Sequence, residues 1–431
     1  MFYLNKLRPV QYVVILFLSV ILIGALILSL PITHMDGKEV TYIDALFTSI
    51  SAVCVTGLVA VDISEYFNLF GRIIIAVLIQ IGGLGVTSIG AIFILIAQRK
   101  FGLYQRLLLM EGLNLNSLSG SVRLIKYVLK FTLIVELIGM VLSFIVFSKD
   151  YPFWSALGIS AFHSVATFNN SGLDILDGSH SLLVYRENVL LYVTTIGLSL
   201  IGGFGFVPMI EIYSKRQFRK FSLDTKVIMI MTSLLIGIGT LLLMVTEHFS
   251  LSDALFYSIS ACTAGITMLP ISNFSSASLL ILMILMFIGT SPGSTGGGIK
   301  TTTFFTIIQS IKGIATNTPV TAFKRRIPTD SIIKAFSIFC LAISINIVST
   351  LVILFLESDF TFTEVLFEVV SATATIGLSL GITSELGDFS KLILGITMFI
   401  GRVGPLSIAC IWSYQKMAPR FNYPEEQVTI G

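Results

Sequence analysis

Four glycines stand in matching surroundings. Phe47-Thr-Ser-Ile-Ser51 leads to Gly57, Phe162-His-Ser-Val-Ala166 to Gly172, Phe256-Tyr-Ser-Ile-Ser260 to Gly265, and Phe367-Glu-Val-Val-Ser371 to Gly377. The Phe-to-Gly spacings are 10, 10, 9 and 10, and Leu58, Leu173, Ile266 and Leu378 follow the glycines. The residues just ahead of each glycine carry no charge: Cys54, Val55 and Thr56; Asn170 and Ser171; Thr263 and Ala264; Thr375 and Ile376. What such segments offer is backbone. Glycine tolerates positive φ, so the chain can turn its carbonyls to one side. Four such turns around an axis make a ring of oxygens able to replace the water around a monovalent cation. A short helix ending there adds partial negative charge at its C-terminus. An anion path would instead want helix N-termini, Arg or Lys. The simpler use of each glycine is close packing between helices. That use does not account for a short apolar segment before each one.

A second group of residues could act as a gate. Gly289-Thr-Ser-Pro-Gly-Ser-Thr-Gly-Gly-Gly-Ile-Lys300 interrupts an apolar stretch. It looks superficially like a phosphate loop, but Ile299 separates the last glycine from Lys300 and no strand precedes it. Read as an intramembrane loop, Thr290, Ser291, Gly293, Ser294, Thr295, Gly296, Gly297 and Gly298 could occlude a pore or swing aside. A passive kink is the competing reading. The matching stretches elsewhere are Ile81-Gly-Gly-Leu-Gly85, Ile201-Gly-Gly-Phe-Gly205 and Ile400-Gly-Arg-Val-Gly404. Helix breaks are therefore predicted at Gly82, Gly202, Gly289 and Gly401. Lys300, Arg402 and Glu136 fall inside apolar stretches, where a charge marks function by default. Arg402 is expected to face the pore or tether the loop. Lys300 is expected to snorkel to the cytoplasmic side, and Glu136 to pair with one of these bases or to be protonated.

The elements that carry these groups follow from composition. Of 431 residues, 55% are hydrophobic and only 12% charged, and mean hydropathy is +0.92. Soluble domains carry about 25% charged residues, and disorder needs the opposite balance. A polytopic all-α membrane protein remains. Eight stretches can span: Val10–Leu30, Phe70–Ala97, Tyr127–Phe147, Val189–Ile212, Val227–Val245, Leu279–Ile311, Ile332–Leu356 and Leu392–Tyr414. The first reads as a retained span, not a cleaved signal. Between alternate pairs lies an apolar segment too short to cross, such as Asp44–Cys54, which reads as re-entrant. The chain thus divides into four span–short helix–span repeats, 1–100, 101–221, 222–318 and 319–431, around one pore.

Charge sets the orientation. With both termini inside, cytoplasmic segments hold 20 of the 27 basic residues, among them Arg99, Lys100, Arg106, Arg123, Lys126, Lys215, Arg216, Arg219, Lys220, Lys324, Arg325 and Arg326. Outer segments hold five: Lys38, Arg72, Lys149, Arg186 and Lys391. This is the positive-inside pattern. Acids such as Asp36, Asp44, Asp62, Asp174, Asp177, Asp253 and Glu364 collect outside, where they could concentrate cations. Cys54, Cys262, Cys340 and Cys410 have no obvious partner, so no disulfide is predicted. The scattered His34, His163, His180 and His248 form no metal motif, and no catalytic motif of an intramembrane enzyme is present.

The four repeats with one glycine each, the Gly/Ser/Thr loop in the third and the Arg in the fourth together resemble the Trk/Ktr/HKT superfamily. Within it the chain is similar to the bacterial KtrB-type potassium-uptake subunits, and the likeness covers nearly the whole chain. Ala161-Phe-His-Ser-Val-Ala-Thr-Phe-Asn-Asn-Ser-Gly172 is particularly like the family's second filter. The resemblance implies K+ uptake across the cell membrane, often stimulated by Na+, by a homodimer with one pore per subunit. It implies a cytosolic ring of RCK-domain regulatory subunits that bind nucleotides, with no cofactor on this chain. It puts the filter at Gly57, Gly172, Gly265 and Gly377 with their preceding residues, and the gate at Thr290–Gly298 and Arg402. Glycine at position 57 goes with potassium preference. The alternative is a secondary cation transporter with alternating access, which also uses broken helices.

Overall fold

The computed structural model describes residues 9–85, 121–176 and 181–409. Arg99, Lys100, Arg106 and Asp177 of the topology reading, and His180 and Cys410 of the metal and disulfide readings, lie outside the described residues. One order of elements recurs four times. A long apolar helix comes first: Pro9–Leu28, Ser121–Phe147, Leu223–Glu247 and Thr329–Leu356. Each contains a run long and apolar enough to cross a membrane. A short, largely buried helix follows: Tyr42–Cys54, Phe153–Phe168, Leu251–Cys262 and Phe362–Ala374. The third element is a second apolar helix: Leu69–Leu84, Val189–Phe204, Ser276–Phe287 and Asp388–Val403. Among the described residues the only sheet is a two-residue hairpin, Thr321–Ala322 with Arg325–Arg326. The chain is an all-α polytopic membrane protein.

Local chemistry explains where the short helices begin. The hydroxyls of Thr41, Ser250 and Thr361 accept from the N–H groups of Asp44, Asp253 and Glu364, an N-cap that satisfies an otherwise unpaired donor. Thr361 and Glu364 complete a reciprocal capping box. The second short helix starts behind Pro152 instead.

The units close into a ring. Each second helix packs on the short helix of the next unit, Leu69–Leu84 on Phe153–Phe168, Val189–Phe204 on Leu251–Cys262 and Ser276–Phe287 on Phe362–Ala374. Asp388–Val403 then returns to Tyr42–Cys54. Leu26, Leu137, Leu241 and Leu351 are exposed on the outside, whereas Ser49, Ser164 and Ser258 are buried. This inverts the soluble pattern and suits a hydrocarbon solvent, where polar side chains join helices from within. Ser49, Ser164 and Ser258, each two residues after its motif phenylalanine, donate to Ile21 O, Glu136 O and Ile236 O at 2.7, 2.7 and 2.9 Å. The fourth unit has Val369 there. It uses a different tie, Thr373 to Asn346 at 2.5 Å.

The second helices correct one expectation. They run through Gly82, Gly202 and Gly401 and end three residues later, at Gly85, Gly205 and Gly404, where φ is +82°, +89° and +97°. Gly82, Gly202 and Gly401 serve contact instead. A Cβ on each would strike the carbonyl oxygen of Val53, Phe168 or Thr373 in its own unit's short helix. Beyond Gly205 the chain turns by 96° into Phe206–Lys215. Among the described residues, only in the third unit does the helix give way, after Phe287, to a loop that lasts until Thr301.

Candidate ion pathway

The four short helices end at four turns. In units one, two and four the turn is made by a residue in the left-handed region: Val55 at φ +58°, Asn170 at +59° and Thr375 at +52°. The N–H of the next residue then reaches back to the motif's fifth residue, Thr56 to Ser51 O, Ser171 to Ala166 O and Ile376 to Ser371 O, at 2.8, 2.9 and 3.1 Å. This six-to-one closure is the Schellman arrangement, normally given to glycine. Holding Val and Thr there costs about 1–2 kcal/mol each. The third unit is one residue shorter. Thr263 takes φ −136° instead, and Gly265 N–H itself bonds Ser260 O at 3.0 Å. The 9-residue spacing therefore has a structural counterpart.

Beyond these turns all four glycines take positive φ: Gly57 +96°, Gly172 +66°, Gly265 +65° and Gly377 +96°. They lie against one another in cyclic order. A Cβ on Gly57 would strike Ser171 O, one on Gly172 would lie 2.8 Å from Ala264 O, one on Gly265 would strike Ile376 O, and one on Gly377 would strike Thr56 O. So the carbonyls that precede the four glycines converge on one place. Their residues are at most 1% exposed. Among the described residues, none of the four oxygens accepts a hydrogen bond. The Thr56 hydroxyl is buried without a partner as well. Buried carbonyls are almost always paired, and four unpaired ones in a ring are a cation's donor set.

The fifth motif residue secures this ring. Ser51 Oγ accepts from Gly57 N–H and Ser371 Oγ from Gly377 N–H, both at 3.0 Å. Ser260 Oγ donates to Ile266 O at 2.5 Å. Ala166 has no hydroxyl, and Ser171 Oγ accepts from Leu173 N–H at 3.4 Å instead. Sequence reasoning used these serines only to recognise the repeat. Their period-matched hydroxyls were the signal of a second task.

Above the ring opens a cavity of about 500 Å³ with the four glycines at its base. Asp62 and Asp174 are on its wall. Two ion pairs clasp neighbouring units, Lys391 to Asp44 at 2.8 Å and Arg186 to Asp253 at 2.7 Å. The Arg186 pair holds the Asp253 carboxyl below its usual range, although its burial acts in the opposite direction.

Below the ring lies the loop of the third unit. Thr290, Ser291 and Thr295 are buried, and Gly293 and Gly298 take φ +69° and +72°. The loop is tied to the second and fourth units, and Arg402 links it to the first. Its Gly293 O accepts from Phe206 N–H, and Ser291 N–H donates to Gly203 O at 3.2 Å. Thr295 Oγ1 is hydrogen-bonded to the Asn170 side chain at 2.9 Å, and Gly297 N–H donates to Thr375 Oγ1 at 2.8 Å. Asn170 and Thr375 thus spend their side chains on the loop. Arg402 donates to Thr295 O, Gly82 O and, at 3.4 Å, Gly83 O. Lys300 departs from the snorkelling expected of it. Its Nζ donates to Gly296 O, Gly297 O and Thr290 Oγ1 at 2.7, 3.0 and 3.3 Å. Lys300, Arg402 and Gly293 also line a small cavity of about 100 Å³.

Residues 8–420 match the TrkH family of cation transport proteins. The chain belongs to that family. It is a family of cation transporters, not of enzymes. The chain is 34% identical to the potassium/sodium uptake protein NtpJ of Enterococcus hirae, over 99% of this chain and 98% of the relative. It is 34% identical to Ktr system potassium uptake protein B of Bacillus subtilis, over 99% and 97%. The fold is similar to the potassium transporter TrkH from Vibrio parahaemolyticus, with a TM-score of 0.74 at 18% identity, covering 93% of this chain and 84% of that one.

In this TrkH-family chain Glu136 pairs with neither base. Its Oε1 accepts from Asn169 Nδ2 at 3.2 Å, and the same Nδ2 reaches Gln80 Oε1 at 2.9 Å. This polar group faces a large apolar groove between the first and second units, away from the ring of carbonyls.

Proposed function

We propose that the chain carries K+ into the cell through a pore whose selectivity filter is the ring of carbonyls before Gly57, Gly172, Gly265 and Gly377. The observation that carries this reading is the four buried oxygens that converge without donors. A dehydrated cation pairs them. The fourfold closure of the units supports a pore over two rocking halves, the arrangement expected of alternating access. The membrane potential, negative inside, contributes about 2.3 kcal/mol per 100 mV for each entering cation. The loop Thr290–Gly298, held by Arg402, is the gate. The relatives' names, potassium and potassium/sodium uptake proteins, support K+ as cargo and Na+ as a stimulating or accompanying ion.

The working unit is a multi-pass homodimer in the cell membrane with one pore per subunit and both termini in the cytoplasm. Its four repeats are 1–100, 101–221, 222–318 and 319–431. A cytosolic ring of RCK-domain subunits binds nucleotide and acts on the loop. Uptake of radioactive rubidium by a transport-deficient host, with the ring subunit co-expressed, tests the reading. Rubidium uptake that saturates and outcompetes sodium is expected. Absence of uptake from a membrane-inserted chain with its partner would sink it.

A further inference from the structure

The residue after the motif phenylalanine differs in every unit: Thr48, His163, Tyr257 and Glu368. In the third and fourth units it has the same structural task. Tyr257 Oη accepts from Met268 N–H and Leu269 N–H at 3.2 and 2.5 Å and lies 3.0 Å from Leu269 O. Glu368 accepts from Ser379 Oγ and Leu380 N–H on one oxygen, at 2.5 and 3.0 Å, and from Thr383 Oγ1 on the other, at 2.8 Å. Both residues fasten the segment beyond their glycine to their short helix. Both segments wall the cavity above the ring.

A neutral phenol is therefore enough for the fastening. Glu368 is 1% exposed, and a carboxylate at that depth is costly. The charge calls for a reason of its own. Every group facing it is arranged as a donor. Ser379 Oγ already accepts from Gly381 N–H at 2.8 Å, which turns its proton toward Glu368. A donor-only environment is that of an ionised carboxylate, which can only accept. Among the described residues no Lys, Arg or His forms an ion pair with it. Its three partners, Ser379, Leu380 and Thr383, line the cavity above the carbonyl ring.

We propose that Glu368 is a specificity-determining positioning residue: its unpaired negative charge, fixed behind the segment that follows Gly377, strengthens cation binding at the outer side of the ring. This rests on the pore reading above. Through a low-dielectric wall a single charge acts on the ion more strongly than the solvated Asp62 at the mouth. The asymmetry between a charged fourth unit and a neutral third one makes the ring's field uneven by design of the sequence.

Two variants of the full chain, assayed with its cytosolic partner, separate charge from fastening. Glu368→Gln keeps the shape. Its amide oxygen can accept from Ser379 and Leu380, and its amide nitrogen can donate to Thr383. The KM for rubidium uptake is expected to rise about tenfold with the maximal rate within about twofold, a loss of ion binding without loss of conduction. Thr383→Val keeps the charge and removes one fastening. Its KM is expected within about twofold of wild type, with a lower melting temperature. A wild-type KM in Glu368→Gln overturns the proposal. So does a tenfold rise in Thr383→Val, the variant that decides the matter if Glu368→Gln does not reach the membrane. Wild-type protein that takes up no rubidium would refute the pore itself, a result distinct from either.

Discussion

The half above the carbonyl ring, proposed to face outside, and the half below it obey different rules. On the outer side four units do nearly the same thing: a short helix, a turn, a positive-φ glycine and a carbonyl aimed at a common point. On the inner side the fourfold pattern is abandoned. One unit supplies the loop, another supplies Arg402 to hold it, and a third supplies the Gly82 carbonyl that Arg402 also grips. The difference is chemically sensible. A spherical cation is best held by equivalent oxygens from all sides. Occlusion needs only one obstacle, and four equal obstacles would have to move together. The halves meet in Asn170 and Thr375, whose backbones make the turns and whose side chains hold the loop.

The largest expected effect breaks the outer equivalence. Gly265→Ser introduces a Cβ at φ +65° that strikes Ile376 O. The left-handed backbone alone costs about 1–2 kcal/mol, and the shortened third loop has no neighbouring left-handed residue to absorb the shift. Rubidium affinity is expected to fall about five- to thirtyfold, by that cost converted at about 1.4 kcal/mol per decade. Discrimination against sodium is expected to weaken with it. Gly377→Ser should behave alike, because its Cβ strikes Thr56 O. Unaltered rubidium-to-sodium selectivity in both would count against equivalence around the ring.

The next effect addresses the inner half. Arg402→Ala removes the donors to Thr295 O, Gly82 O and Gly83 O. Hydrogen bonds from a charged donor contribute about 1.5–3 kcal/mol each, so losing the tether shifts a closed–open balance by about tenfold or more. Flux is expected to rise, most visibly without the cytosolic partner. Deleting Thr290–Gly298 should raise it further. If conduction is the same with and without the loop, the interruption is a kink and no gate.

How much of this was legible in the sequence follows the same division. The outer half repeats, and repetition is what one sequence can display without an alignment. Phe47, Phe162, Phe256 and Phe367 marked the short helices, and the glycines marked the loops. The inner half is made of single contacts between distant segments, and no spacing announces them. Lys300 looked like a snorkelling residue although two of its partners, the carbonyls of Gly296 and Gly297, stand only four and three residues earlier; nothing in the spacing says that the loop folds back to aim them at Nζ. Glu136 looked unpaired because Asn169 and Gln80 belong to other helices. Gly82, Gly202 and Gly401 misled for a subtler reason. A glycine in an apolar helix signals either a break or a close approach, and only packing decides. Here it allows the approach of Val53 O, Phe168 O and Thr373 O, with the break displaced three residues along, to Gly85, Gly205 and Gly404.

The smallest expected effect sharpens the outer comparison, because the four units are not quite equal in the fifth motif residue. Ser371→Ala leaves Gly377 N–H buried without its acceptor, at a cost of about 1–3 kcal/mol. Ser51→Ala does the same to Gly57. Ser260→Ala removes a donor from Ile266 O instead, and a carbonyl with a spare lone pair tolerates this better than an amide tolerates losing its acceptor. Ala166 shows that one unit manages with no hydroxyl at all. The expected order of rubidium KM is therefore wild type, then Ser260→Ala within about twofold, then Ser371→Ala and Ser51→Ala about fivefold higher, given an unsatisfied amide next to the ion-binding carbonyls. Equal KM values for all three variants would mean that the hydroxyls hold the short helix and not the filter strand. The order as stated would tie the strength of ion binding to the amides of Gly57 and Gly377, one bond away from the oxygens that face the ion.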